Sequence, residues 1–153
     1  MSTRPADPAE IDARTRASFA RQPARATIGA TRVHVEPGHV VLEMAHHDTL
    51  TQQHGFLHAG IVSTALDSAC GYAAFTLMPP EAAVLTIEFK VNLLAPARGP
   101  RLRFEGQVTK AGRTISVVDG RAWQLPVVDG PEPVLVATMT ATVMTVLDRG
   151  LHG

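Results

Sequence analysis

The sequence predicts an α+β domain: a curved antiparallel sheet of five or six strands wrapped around one long central helix, with a short helix at the N-terminus. Three observations carry this. One stretch, about Gly60 to Met78, is rich in Ala, Ser, Gly and Cys, long enough for a full helix, and stopped by Pro79-Pro80. Beyond it the chain reads as strand after strand, beginning with a complete alternation over Val84 to Leu93. Ahead of it, two apolar runs flank the turn signal Glu36-Pro37-Gly38 and read as a hairpin.

In chain order, Asp7-Pro8 supplies an N-cap and a proline at the first helical position, opening a charged helix to about Ala20. Arg21 to Arg25, broken by Pro23, reads as a link. The hairpin runs are Ala26 to Val35 and His39 to Ala45, and the polar segment His46 to His58 is irregular. The helix follows, and its small residues let backbone approach backbone closely. In the first long strand Leu85, Ile87, Phe89, Val91 and Leu93 share one face; Thr86, Glu88, Lys90 and Asn92 share the other. Pro96 and Gly99-Pro100 end that run. Leu102, Phe104, Gly106 and Val108 alternate with polar neighbours in the next. Ala111-Gly112 turns the chain into Ile115 to Leu125, and Asp129-Gly130-Pro131 turns it into Val134 to Val146. This divides the chain into an N-terminal helix and link over 1–25, a single domain over 26–148, and a tail over 149–153. One helix cannot cover both faces of such a sheet, so a homo-oligomer is expected, with an edge strand pairing across a two-fold axis.

Composition bounds the function. The 153 residues suffice for one domain with a real core. Fourteen basic residues balance fourteen acidic ones, so no basic stripe argues for nucleic acid and no polybasic cluster for a membrane surface. The single Cys70 rules out an internal disulfide and reads as a buried thiol. Charges sit where a signal peptide would need an apolar run, and no segment approaches the length of a membrane span, so the expected setting is cytoplasmic.

Asp67 is the first candidate for chemistry. A carboxylate among Ala, Ser and Gly on a helix that buries a face needs a partner or a task. It lies about two turns past the Gly-containing helix start, within reach of whatever binds there. It could serve as a general base that deprotonates water or as a nucleophile on an acyl carbon. Burial would raise its pKa and the helix dipole would lower it. At Ala59-Gly60 the helix start offers unpaired N–H groups that can hold a carbonyl oxygen. His46, His47, His54 and His58, with Asp67, could be drawn as a metal site, but His54-x-x-x-His58 lies across a Gly-containing loop and no third ligand has a fixed spacing, so the polar-loop reading ranks above it. Gln52, Gln53 and Thr86 are further polar candidates, to orient a carbonyl oxygen or a water. Arg98, Lys110 and Arg113 lie at strand ends and turns, from which side chains can reach a phosphate.

Gln52-x-x-Gly55-x-x-His58-Ala59-Gly60, then Asp67, then Gly71-x-x-Ala74, resembles the signature loop and helix of hotdog-fold thioesterases, and most of all the phenylacetate-degradation (PaaI-like) acyl-CoA thioesterase family. The resemblance runs from about Val33 to Val146 and includes Lys90 to Ala97 and the Gly112-Arg113 turn. It implies hydrolysis of an acyl-CoA thioester to a free acid and coenzyme A, the coenzyme being part of the substrate and no cofactor being needed. It implies two subunits joined edge to edge, active sites shared across that interface, and dimers paired into tetramers. Asp67 falls on the family's catalytic carboxylate, and Ala59 and Gly60 on the glycine pair that polarises the carbonyl. Gln52 falls on an assisting Asn, with Gln53 or His54 as substitutes; Thr86 lies near a water-orienting Ser, and His58 matches the motif histidine as a loop organiser. Ala59 departs from the usual Gly and Gln52 from the usual Asn. Two other readings stand beside hydrolysis: a non-catalytic acyl-CoA-binding protein of the same fold, and an acyl dehydratase or hydratase, whose His-Phe-Pro-type loop has no counterpart here.

Overall fold

The helix start at Asp7-Pro8 forms as its chemistry dictates: Asp7 Oδ1 accepts from the Ala9 amide at 3.0 Å, and α1 spans Pro8–Ala20. The computed structural model describes residues 7–128 and 130–153; Asp129, part of the expected last turn, lies outside them. Next come α2 (Pro23–Ile28), β1 (Thr31–Glu36) and β2 (His39–Ala45), then the central helix α3 (Ala59–Phe75). The chain ends with β3 (Ala83–Leu93), β4 (Arg101–Lys110), β5 (Ile115–Leu125) and β6 (Val134–Val146). Six strands form one sheet in the order β1-β2-β4-β5-β6-β3, every neighbouring pair antiparallel. The sheet curves around α3, which touches β2 through β6, and this is the hotdog arrangement expected from the signature.

Two local expectations change. The segment read as a link plus the first residues of a strand is the helix α2, because Pro23 takes the first helical position and Gly29 closes the C-terminus at φ 71°. The stretch before α3 is irregular only in part: a 3₁₀ turn covers Asp48–Leu50, and Thr51 bridges Leu57.

A further correction concerns β3 and matters for the site. Its pairing with β6 slips by one residue at Ile87: Thr86 lies opposite Val143, yet Glu88 lies opposite Thr142. Such a bulge transfers every later side chain to the other face. Thr86 therefore shares the inner face with Phe89, Val91 and Leu93, opposite the buried Val143, Ala141, Met139 and Ala137. Leu85 goes outward with Glu88, Lys90 and Asn92. The unbroken alternation in the sequence conceals this.

The core is fine-grained because helix and sheet meet almost backbone to backbone. Gly106 of β4 and Gly120 of β5 lie directly opposite each other. A Cβ on Gly106 would fall 2.3 Å from the Ala69 carbonyl oxygen, and one on Gly120 would fall 2.9 Å from Cys70 Sγ. The glycine pair is thus a notch in the sheet that receives the middle of α3. Phe19 of α1 and Ile28 of α2 join the same core.

Arg14 ties α1 to the far end of α3. Its guanidinium donates to the carbonyls of Phe75 (2.7 Å), Met78 (3.1 Å) and Pro79 (2.8 Å), and lies 4.4 Å over the Phe75 ring. A cation there satisfies carbonyls left over at a helix C-terminus and complements the dipole. Arg14→Ala is expected to cost about 2 kcal/mol, the scale of charged hydrogen bonds lost from a half-buried site. Urea unfolding should report a lower midpoint at unchanged m.

Candidate active site

Asp67 sits in the middle of α3, half-buried, on the side facing β3. Because the Ile87 bulge turns Thr86 inward, its hydroxyl donates to Asp67 Oδ1 at 2.7 Å. Burial raises the Asp67 pKa above the usual carboxylate range, and the Thr86 bond, which favours the charged form, pulls it partly back. The result is a single held carboxylate with one oxygen left for other work. Thr86→Val would remove the opposing hydrogen bond, so the acid limb of any Asp67-dependent pH–rate profile should move upward. A profile that stays in place would mean that Asp67 is not the titrating group.

The carboxylate opens on a cavity of about 330 Å³ whose wall includes Ser68, Gly71 and Tyr72 of α3 and Ser18 and Gln22 from α1 and the link after it. Ser18 Oγ lies 3.3 Å from the Tyr72 hydroxyl, and Ser68 donates to Gln22 Oε1 at 3.4 Å. His152 and Gly153 complete the rim. Sequence reasoning does not find these N- and C-terminal residues, since nothing local marks a contact across such a separation in the chain. Ser63 and Thr64, the polar helical neighbours of Asp67, bond back to the carbonyls of Ala59 and Gly60 instead.

A second cavity, about 360 Å³, lies at the N-terminus of the helix and is lined by Gln52, Phe56, Ala59, Val62, Leu94 and Pro96 among others. Here the two candidate amides part company. His58 caps the helix: its Nδ1 accepts from the Gly60 N–H at 2.9 Å. The Ala59 N–H has no protein acceptor among the described residues and remains free to donate. Gln52 Oε1 accepts from the His54 amide, leaving its NH₂ available. His46 bonds the Gly55 carbonyl at 3.1 Å and His47 accepts from Thr49, so these two histidines organise the loop.

The expectation that Asp67 can reach a group bound at its own helix start needs correction. It is eight residues beyond Ala59, about 12 Å along the axis at 1.5 Å per residue. The two also line different cavities. One chain therefore does not bring them onto one carbonyl group. The candidate phosphate-binding cations separate likewise. Arg98 lies by the first cavity, its guanidinium 4.6 Å over the Phe56 ring, whereas Arg113 lies at the opposite end of α3 beside Ala74 and Met78, with Lys110 at the nearby end of β4.

Cys70 is buried, and its thiol is pushed up to about 12 by desolvation first and by Asp67 and Asp119 next, so it is no nucleophile. Among the described residues, His34, Glu36 and His39 bring three ligand-type atoms within 4.8 Å of one another, on the β1–β2 hairpin at the far edge of the sheet from β3.

The thioesterase superfamily profile matches residues 54–129, which contain the last residues of the loop from His54 to His58, then α3, β3, β4 and β5. A thioesterase family protein from Silicibacter pomeroyi is 56% identical, its crystal structure superposes with a TM-score of 0.86, and the match covers 90% of this chain and 98% of that one. The chain belongs to the thioesterase superfamily. The PaaI protein of E. coli, from its phenylacetic acid degradation operon, shares the fold with this superfamily member at a TM-score of 0.81, at 16% identity over 92% of this chain and 96% of that one. A protein of Saccharolobus solfataricus named for an inferred esterase activity is 34% identical over 87 residues, 57% of this chain and 61% of its own length. The match thus spans less than two thirds of the curated relatives.

Proposed function

We propose that the protein is an acyl-CoA thioesterase, releasing a free acid and coenzyme A, with Asp67 as general base or nucleophile. The observation that carries this is the Thr86-held carboxylate, raised in pKa by burial and opening on a cavity, in a chain of the thioesterase superfamily. A base of raised pKa is better matched to deprotonating water near neutrality. The free Ala59 N–H and the Gln52 NH₂ polarise the thioester carbonyl; Gly60 contributes only if His58 releases its amide.

Since Asp67 and Ala59 are about 12 Å apart along one helix, a complete site combines Asp67 of one copy with the helix start of another. The exposed edge strand β3 supports this. Its outer backbone edge has no neighbour among the described residues, and Ile87, Phe89 and Leu93 are 53%, 42% and 53% exposed. Large apolar side chains on an unprotected edge are an aggregation hazard unless a second copy covers them. The working form is a homodimer paired through β3, with a tetramer built from such dimers, acting in the cytoplasm; no helix among the described residues is long and apolar enough to cross a membrane. Arg98 and Phe56 lie beside the first cavity and are the better candidates for the nucleotide, with Lys110 and Arg113 reaching it only from a neighbouring copy.

The test is thiol release from acetyl-, butyryl-, hexanoyl-, benzoyl- and palmitoyl-CoA, run alongside direct binding of the same compounds. Saturable release from at least one supports hydrolysis. Binding with no release from any supports the non-catalytic reading, which the occupied Gly60 amide favours.

A further inference from the structure

Gly71 lies well inside α3, four residues after Asp67, where glycine weakens a helix relative to alanine. The buried glycines of the strands have a steric reason: Gly106 and Gly120 would collide with α3 if they carried a Cβ. Gly71 has none. Apart from its chain neighbours and the backbone of its own helix, a Cβ built on it meets no heavy atom within 4 Å, although the residue is buried. The empty space is the cavity that Asp67 opens on, since Gly71 forms part of its wall. At about 330 Å³ this cavity is at the small end for ligand sites. Its wall also carries the Ser18 and Tyr72 hydroxyls and the Gln22 amide, which do not suit a long alkyl tail.

We propose that Gly71 sets the size of acyl group accepted: by carrying no side chain, it holds open the chamber beside Asp67 in which a compact acyl group, one ring or a short chain, lies. This rests on the thioester reading above. The helix gives up stability at Gly71 so that the chamber stays open, and side chains introduced there fill it rather than strike the protein.

The experiment uses Gly71→Ala and Gly71→Leu in the full chain. Gly71→Ala should raise Tm by about 3 °C, the value of a helix-favouring replacement that meets no clash. In Gly71→Leu the ratio of kcat/KM for the bulkiest acyl-CoA accepted by wild type to that for acetyl-CoA should fall at least about tenfold. The free carboxylic acids, titrated against both proteins by thermal shift, provide a readout without turnover: benzoate or hexanoate should stabilise wild type and lose that effect in Gly71→Leu. An unchanged kinetic ratio in an active wild type would overturn the proposal. So would a Tm that falls in Gly71→Ala, or dissociation of the oligomer in light scattering, since the space would then be the seat of another subunit. A wild type that turns over no acyl-CoA defeats the hydrolytic reading, and the acid titration still decides the chamber.

Discussion

Asp67→Asn is expected to lower kcat for the best acyl-CoA substrate by at least about 10²–10⁴-fold, the usual value of a positioned acid–base group. KM should change far less, because the substitution keeps the shape and an oxygen that can still accept from Thr86. Stability supplies an independent sign. The folded-state pKa of Asp67 is raised, with burial the leading cause, so its contribution to stability is fully present below the unfolded value of 3.8 and is lost as pH rises through the folded value. Above the folded value the native protein holds a partly desolvated charge that costs stability, and removing it in Asp67→Asn should leave Tm at such a pH equal or higher. Loss of turnover with no loss of Tm identifies a group kept for chemistry. Turnover near wild type in a folded variant would remove Asp67 from the mechanism.

Gly106→Ala should destabilise the fold severely for the addition of one methyl group. The new Cβ would fall 2.3 Å from the Ala69 carbonyl oxygen and 2.8 Å from the Cys70 nitrogen, both backbone atoms that cannot rotate away. Relief requires α3 to lift from the sheet, carrying Leu66, Ala69, Ala73 and other fully buried side chains with it. Overpacking of a tight core typically costs about 1–3 kcal/mol, and a backbone-to-backbone clash belongs at or above the upper end. For a domain of this size, about 3 kcal/mol corresponds to a fall in Tm of roughly 6–12 °C. Gly71→Ala, on the helix that Gly106 receives, is expected to move Tm the other way. A small effect of Gly106→Ala would mean that helix and sheet can separate at little cost and are not locked by this contact.

Much of the molecule is legible in its amino-acid order. Proline stops, the Asp7-Pro8 cap and the alternating strands locate α1, α3 and the long strands, and the loop-and-helix signature from Gln52 to Ala74 points to the superfamily and to Asp67. These are short-range signals, set by backbone sterics and by side-chain periodicity within one element. The α2 helix escapes them because its six residues are too few for a period to emerge, although Pro23 and Gly29 mark both its ends.

The partners of Asp67 are settled at the tertiary level. Thr86 reaches it because a bulge at Ile87 reverses the strand's faces, and a bulge depends on pairing with β6, about fifty residues later in the chain. Ser18 and Gln22 reach the same cavity because Arg14 and Phe19 dock α1 against the end of α3 and the core. The occupation of the Gly60 amide depends on the rotamer of one capping histidine. The distance between Asp67 and the start of its own helix is simple arithmetic on a rigid rod. Its meaning emerges only when the fold assigns the two ends to separate cavities. Periodicity records which face a residue takes within its own element; it carries no information on which distant element arrives there, because that is settled by packing of the whole chain.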